Sequence, residues 1–300
     1  MKHLILVGAI LWVLITSARC AMEIVCTTGM VGDLVRGIAG DRARVTVLIG
    51  EGIDPHLFKP TRDDVAKLIK ADIVFFNGLH LEGRMEDAFK KLRQRGASVT
   101  AVTSSIPRDR LIFDGHAEDP HVWMSPLLWA ACGASVLETL TRADPDGADF
   151  YATNAARQKR ELEALDVTLR KTTGTIPPDK RVLVTAHDAF QYFAQVTGLE
   201  VMSVQGLSSE SEAGVADINR LVDEIVKRRI PAVFFESTFS EKNVRAVIEG
   251  AAARGHPVAP GGMLYADSLG PAGSPEATCA GMLAYNARTI TQALGGEPAP

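Results

Sequence analysis

The alternation of short β-forming runs with helix-length segments most constrains how this chain folds. Four runs rich in Val, Ile and Phe precede a long central stretch, and four follow it: EIVCTT, RVTVLIG, DIVFFN and SVTAV, then RVLVTA, EVMSV, AVFFES and a weaker run around PVAP. Strands separated by helical crossovers pair in parallel. A chain of 300 residues also fits two domains. The pattern therefore predicts an α/β fold with two lobes, each with a four-stranded parallel sheet and flanking helices.

An internal repeat supports two lobes of like topology. DIVFFNGLHLEGRMEDAFKKLRQRGASV in the first half aligns without gaps to PAVFFESTFSEKNVRAVIEGAAARGHPV in the second. In each copy an apolar strand precedes a helical segment that ends in Arg-Gly before the next strand. The identities are sparse, so chance similarity between two βαβ units is the alternative.

A long helix-forming stretch joins the two halves. Residues from about Asp146 to Thr172 contain few helix breakers, and GTIPP then ends the helix. Its sparse apolar stripe consists of Tyr151, Leu162, Leu165 and Leu169. We predict an N-terminal lobe at 22–145, a long rigid connecting helix at 146–173 and a C-terminal lobe at 174–300. A rigid connector limits the motion of the lobes.

The first 21 residues are predicted to be an export signal. Lys2 precedes an apolar run from Leu4 to Ile15, and small residues follow. This run is shorter than the roughly 20 residues of a membrane-spanning helix. The mature protein is therefore expected outside the cytoplasmic membrane, in the periplasm or an equivalent compartment. Two alternatives stay open: an uncleaved signal that anchors the protein, and lipidation of Cys20.

The charge argues against a nucleic-acid-binding protein, and the cysteine spacing argues against a cysteine metal site or a redox motif. The formal net charge is −4, the sequence pI is about 6.0, and no basic stripe is present. Nucleic acid is therefore not an expected partner. Cys26, Cys132 and Cys279 match no metal-binding or redox spacing, and we expect them to be buried thiols.

Four residues stand where a ligand site is expected. His56 follows the second predicted strand, His121 lies beyond the fourth, His187 ends the fifth and Asp267 lies beyond the eighth. Open α/β sheets bind ligands outside the carboxyl ends of their strands, so all four can point into one cleft. Three imidazoles and one carboxylate suit Zn or Mn. A lone histidine is more often a hydrogen-bonded or surface residue, so from the residues alone both interpretations stay open.

Two of these histidines occur in nearly identical contexts, DPHLFKP and DPHVWMSP. Proline restricts φ and so helps to hold the following imidazole in place. Asp54 and Asp119 either brace these loops or serve only as turn formers.

Other ionisable residues have weaker claims to the site. Glu236 ends a predicted strand near the cleft, where it could orient a ligand imidazole. Glu212, within SSESE, is a weaker candidate for the same role. His80, which follows a Gly turn, and His256, which is expected on the surface before a strand, are not expected to belong to the site.

The chain resembles the metal-binding receptors of bacterial ABC importers that capture Zn and Mn. The matching stretches cover almost the whole mature chain in order: GIDPHLFKPTRDDVAKLIKADIVFFNGLHLE, DPHVWMSP, RVLVTAHDAFQYFAQVTGLEV, QGLSSESEAG, IPAVFFESTFSEKNV and GGMLYADSLG. The resemblance implies a monomeric solute-binding protein, not an enzyme, that delivers one divalent ion to an importer permease. It implies His56 and His121 from the N-terminal lobe, and His187 and Asp267 from the C-terminal lobe, as the metal ligands.

Two departures from the family pattern bear on metal preference and local bracing. Met124 and Ser125 stand where many relatives have Leu-Asp, a change that leaves the ligands intact. Dedicated zinc receptors often carry a long His-rich and acid-rich loop, whereas LIFDGHAEDPHVW is short and adds only His116. The ion is therefore expected to be Zn or Mn, with Fe also open. A metallohydrolase with Glu236 as its base and a surface adhesin are the alternative functions.

Overall fold

The computed structural model describes residues 21–208 and 213–298. Most of the predicted export signal, including Cys20, and Glu212 lie outside the described residues. The N-terminal half contains a parallel sheet in the order β2-β1-β3-β4. Its strands are β1 (Met22–Cys26), β2 (Ala43–Val47), β3 (Ile73–Phe76) and β4 (Ser98–Ala101). Every residue of β3 is buried, as expected for a strand covered on both faces.

Helices cover both faces of this sheet. They are α1 (Gly29–Ala39), α2 (Arg62–Lys70) and α3 (Glu86–Gln94). Successive side chains of a strand point to opposite faces. Ile24 and Phe75 therefore pack in the cluster that contains α1, whereas Val25 and Val74 pack in the cluster that contains α2 and α3.

Two long helices follow the N-terminal sheet. The N-terminal half continues with β5 (Phe113–Asp114), β6 (Ala117–Glu118) and α4 (Pro126–Ala143), and α5 (Ala148–Thr173) then leads to the C-terminal half. The antiparallel β5–β6 pair was not anticipated, because two-residue strands are too short to show a period in the sequence. At 1.5 Å per residue, α5 is roughly 39 Å long.

The C-terminal half contains four parallel strands that pair as two ladders, β7 with β8 and β9 with β10. The elements are β7 (Val182–Thr185), α6 (Gln191–Thr197), β8 (Glu200–Ser203), α7 (Val215–Arg228), β9 (Ala232–Glu236), α8 (Lys242–Ala253), β10 (Ala259–Leu264) and α9 (Cys279–Ala293). Strand β7 lies beside β9. The register of β10 shifts between Pro260 and Met263, where proline removes a donor and two glycines permit the bulge.

The long helix α5 contacts both halves of the molecule. It packs against α1 and α4 on one side and against α6 and α9 on the other. Tyr151, Leu162 and Leu169 of the predicted stripe are buried, and Leu165 packs partly buried against the same cluster. That cluster contains residues from both halves, so one continuous core runs beneath the loops at the carboxyl ends of the strands.

The two copies of the repeat occupy equivalent positions in the fold. The first forms β3, α3 and the start of β4, and the second forms β9 and α8 and ends just before β10. Gly96 and Gly255, just beyond the two helices, have φ values of +81° and +80°. Such left-handed residues end helices at low cost only when they are glycine. Among the residues that the structure describes, no helix has the length and apolar character needed to cross a membrane.

Candidate metal centre

The structure brings all four sequence-predicted residues together. Each lies in a loop beyond the carboxyl end of a strand, where the sheet edge faces the other half of the molecule. One potential ligand atom from each of His56, His121, His187 and Asp267 lies within 4.8 Å of the others. All four side chains are buried, with at most 5% of the residue exposed.

The three imidazoles face the cluster through Nε2. The Nε2 atoms of His56 and His121 are 3.4 Å apart. Asp267 Oδ2 lies 3.2 Å from His187 Nε2 and 3.7 Å from His56 Nε2, and its Oδ1 lies 3.4 Å from His121 Nε2. A single ion placed among these atoms would be reached by three nitrogens and a carboxylate.

The two Asp-Pro-His loops adopt the same turn. The backbone N–H of His56 donates to Asp54 Oδ1 at 2.8 Å, and that of His121 donates to Asp119 Oδ1 at 2.9 Å. A carboxylate that accepts from the N–H two residues later closes an Asx turn. Both aspartates therefore brace their loops.

Buried carboxylates contact the outer nitrogens of two histidines. Asp119 Oδ1 lies 2.7 Å from His121 Nδ1, and Glu236 Oε2 lies 2.6 Å from His187 Nδ1. Glu236 Oε1 also accepts the backbone N–H of His187 at 2.9 Å. When Nδ1 donates its proton to a carboxylate, the lone pair of Nε2 is free to face a metal. The contact of Glu236 agrees with the prediction, whereas that of Asp119 with the ring was missed.

The pKa values of His56 and His121 diverge within the cluster. Burial lowers the pKa of His56 to about 4. Burial also disfavours the charged form of His121, but the carboxylates of Asp119 and Asp267 outweigh it and raise the pKa to about 9.

His187 and Asp267 stabilise each other's charged forms. Burial opposes the charge on His187, yet the carboxylates of Glu236 and Asp267 raise its pKa well above 6.5. Burial likewise opposes ionisation of Asp267, but the imidazoles of His187 and His121 hold the pKa of this carboxyl well below 3.8. A divalent cation would replace the protons of these imidazoles.

Aromatic side chains enclose the histidines. The ring of Phe239 stacks on His187, with centroids 4.2 Å apart and planes inclined by 19°. The ring of Trp123 meets His121 edge-on at 5.3 Å, and its Nε1 donates to the carbonyl of Ala266 at 2.9 Å. Neither contact was anticipated from the sequence, although Trp123 stands two residues after a predicted ligand in DPHVWMSP.

Several buried polar atoms of the cluster lack hydrogen-bond partners among the described residues. They are Nε2 of His187 and both carboxylate oxygens of Asp267. Buried polar groups are otherwise paired in proteins, so unpaired atoms directed at one point need an explanation. Three imidazole nitrogens and a carboxylate are a donor set that Zn and other first-row divalent ions accept.

The other histidines and cysteines within residues 21–208 and 213–298 lie elsewhere. His80 and His116 are exposed, and Nε2 of His256 contacts the carbonyl of Ile230 at 2.8 Å. Free thiols are found at Cys26, Cys132 and Cys279, where burial raises the pKa of each thiol. Raised thiol pKa values disfavour the thiolate that binds metal.

Comparison with known proteins finds similarity along almost the whole chain. The family model for ZnuA, described as zinc-uptake complex component A, periplasmic, matches residues 24–293. The chain is 43% identical over 280 residues to the manganese-binding lipoprotein MntA of Bacillus subtilis, covering 93% of this chain and 91% of that protein. It is 31% identical over 274 residues to the iron-binding protein YfeA of Yersinia pestis, covering 91% of this chain and 86% of that protein.

A solved structure has the same fold. The periplasmic zinc-binding protein TroA from Treponema pallidum matches with a TM-score of 0.89 and 39% identity, covering 92% of this chain and 99% of that one. The motifs noted in the sequence resemble this treponemal protein as well. The parallel strands, flanking helices and long α5 described above are therefore features of a known architecture.

Proposed function

From the premise that the chain belongs to the ZnuA family of periplasmic metal-uptake components, we propose that this protein captures a divalent transition-metal ion outside the cytoplasmic membrane and delivers it to an ABC importer. The observation that carries the proposal is the buried convergence of three Nε2 atoms and one carboxylate. Buried polar atoms that lack hydrogen-bond partners among the described residues, as Nε2 of His187 and both oxygens of Asp267 do, are suited to a cation.

The proposed ligands are His56 and His121 from the N-terminal half and His187 and Asp267 from the C-terminal half. The proposed lobes comprise residues 22–145 and 174–300, joined by a connecting helix at 146–173. Each lobe then supplies two ligands, so the ion bridges them. Docking to the permease would release the ion by separating the two pairs.

Capture fits the site better than catalysis does. A catalytic zinc keeps an open position for water beside three protein ligands, whereas a closed site has four. The four donors here are buried, and Glu236 is occupied by the ring and backbone of His187. A metallohydrolase would need that glutamate as a free base near the ion, so we propose that the protein is not an enzyme.

Zn and Mn are the proposed ions, and Fe is a further candidate. The donor set contains no thiolate and mixes imidazole with carboxylate, which both ions accept. Relatives named for manganese, zinc and iron are consistent with this range.

The proposed partner is the importer permease, and the protein is proposed to act as a monomer. Some relatives are named as lipoproteins, among them MntA of Bacillus subtilis. We therefore propose that a lipid on Cys20 anchors this protein to the membrane. The same anchor would suit an adhesin, but the buried donor cluster favours metal capture.

Metal content after purification without chelators tests the proposal. Elemental analysis of the parent should find close to one equivalent of Zn, Mn or Fe, and His187→Ala should hold much less. His256→Ala is the matched control, because that imidazole contacts a backbone carbonyl outside the cluster. A parent that holds no metal and is not thermally stabilised by added Zn or Mn would contradict the proposal.

A further inference from the structure

We propose that two buried asparagines, Asn77 and Asn286, are positioning residues that hold the loops carrying His121 and Asp267 in the geometry that binds the ion. The inference rests on the proposed function of the cluster. Neither asparagine contacts the four donor side chains directly. Each binds the backbone next to one of them.

Asn77 lies at the carboxyl end of β3 and is fully buried. Its Nδ2 donates to the carbonyl of Pro120 at 3.0 Å. The same carbonyl accepts the N–H of Val122 at 2.9 Å, which closes a turn centred on His121. His121 has φ −81° and ψ 40° in this turn, outside the helical and extended regions.

The peptide bond between Pro120 and His121 is consequently held on both sides. Asn77 binds its carbonyl, and Asp119 accepts its N–H at 2.9 Å. A peptide plane fixed in this way leaves the Cα–Cβ bond of His121 little freedom. The direction of the imidazole then follows from the position of the backbone.

Asn77 is itself held by the carboxylate of Glu82. Oε1 of Glu82 accepts the backbone N–H of Asn77 at 2.7 Å and the hydroxyl of Thr27 at 2.6 Å. The backbone carbonyl of Asn77 accepts the hydroxyl of Thr103 at 2.6 Å. The turn that follows Asn77 has three consecutive positive φ values, 92°, 52° and 61° at residues 78–80. Such a turn persists only when its surroundings hold it in place.

Asn286 plays the corresponding part in the other half. It is fully buried on α9, its Oδ1 accepts the N–H of Tyr265 at 3.1 Å, and its Nδ2 donates to the carbonyl of the same residue at 2.7 Å. The next carbonyl, that of Ala266, accepts the indole N–H of Trp123. The backbone leading into Asp267 is thus bound at successive peptide groups.

Asp267 depends on this backbone support more than His121 and His187 do. His121 and His187 have carboxylates on their Nδ1 atoms, whereas the oxygens of Asp267 lack hydrogen-bond partners among the described residues. The position of its carboxylate is therefore set by the main chain and by packing. Loss of the Asn286 contacts should displace it.

Co²⁺ binding to the whole mature chain tests the proposal, with Asn77→Ala and Asn286→Ala as the variants. Asn154→Ala is the matched control, because Asn154 also donates to a backbone carbonyl, that of Ile38 at 3.1 Å, but on α5 rather than beside a cluster loop. We expect Asn77→Ala and Asn286→Ala to weaken Co²⁺ affinity by about 10–100-fold and to change the visible absorption spectrum of the bound ion. The control should lose some thermal stability and keep both the affinity and the spectrum.

The spectrum separates positioning from general destabilisation, because it reports the geometry around the ion in molecules that are folded. Where an alanine variant does not fold, Asn77→Ser and Asn286→Ser, which retain a shorter donor, should show intermediate affinity. If the folded variants of both asparagines bind Co²⁺ with the affinity and the spectrum of the parent protein, the positioning role is overturned. A parent that binds no Co²⁺, Zn²⁺ or Mn²⁺ would instead overturn the proposed function itself.

Discussion

At the residue scale, the Nδ1 atoms of His121 and His187, which point away from the cluster, each contact a specific buried carboxylate. Glu236 contacts both the ring and the backbone of His187, so this single side chain determines the tautomer and the orientation of a proposed ligand. The arrangement of the cluster depends in this way on a residue outside it.

Glu236→Gln should weaken metal binding by about 10–100-fold with little change in overall fold. Glu236 accepts the backbone N–H with Oε1 and the Nδ1 proton with Oε2, whereas an amide has an NH2 donor in place of one of these two oxygens. Competition against a chelator of known affinity measures the effect. Glu200→Gln is the control, because that carboxylate pairs with Arg228 on the surface. Equal affinities of the two variants would contradict the role of Glu236.

Protons should compete with the metal at a higher pH than free histidine suggests. The reference pKa alone predicts competition near pH 6.5. Neighbouring carboxylates, however, raise the pKa of His121 to about 9 and that of His187 well above 6.5. His121 therefore carries a positive charge at pH 7.5 before the metal binds, and the neighbouring carboxylates favour the charged form of His187. We expect binding at that pH to release at least one proton, and affinity to rise with pH.

Calorimetric titration of Zn²⁺ in buffers with different ionisation enthalpies counts the released protons. The metal-free protein should show the matching pH dependence of stability. A histidine with a raised pKa in the folded state stabilises it fully below about pH 6.5, and this contribution disappears as the pH rises through about 9. Binding enthalpies that do not depend on the buffer would show that the imidazoles are already neutral.

At the element scale, α5 holds the two halves together because its buried residues belong to a core shared by both. Many of its other side chains are charged and exposed, so a few buried apolar side chains hold α5 against the rest of the molecule.

Leu169→Ala should lower the free energy of unfolding by about 2–5 kcal/mol, because the truncation leaves a cavity in this fully buried position. Val167→Ala is the control on the same helix, where the side chain is 66% exposed, and should change stability by less than about 0.5 kcal/mol. Urea titration followed by circular dichroism measures both. Similar losses in the two variants would show that α5 is not anchored as described.

At the scale of the whole molecule, the cluster couples the halves. His56 and His121 belong to one half and His187 and Asp267 to the other, and one ligand atom of each lies within 4.8 Å of the others. Because each half supplies two of the donors, an ion bound there should act as a bridge between the halves.

Metal should therefore stabilise both halves together. At a free concentration 100 times the dissociation constant, one bound ion adds about 2.7 kcal/mol to the free energy of unfolding. Hydrogen exchange should show increased protection at the end of β7 as well as in the loop that carries His121. Protection confined to one half would mean that the ion is held by only one of the two pairs.

Much of the fold and of the site could be predicted because the relevant signals are local. Apolar runs such as IVFF and the long breaker-free stretch before GTIPP determine which segments form strands and which form helices. The position of His56, His121, His187 and Asp267 in loops that follow predicted strands comes from the same pattern, and the duplicated Asp-Pro-His turn is encoded within three residues.

Only the tertiary structure decided how these residues meet. The contacts of Glu236 with His187, of Trp123 with Ala266 and of Asn286 with Tyr265 join segments that are distant in the chain. Their geometry depends on helix packing, rotamers and strand register, which no local pattern contains. The sequence by itself determined which groups reach the edge of the sheets. The packing of two halves around one core determined that their nitrogens and oxygens lie within reach of a single ion.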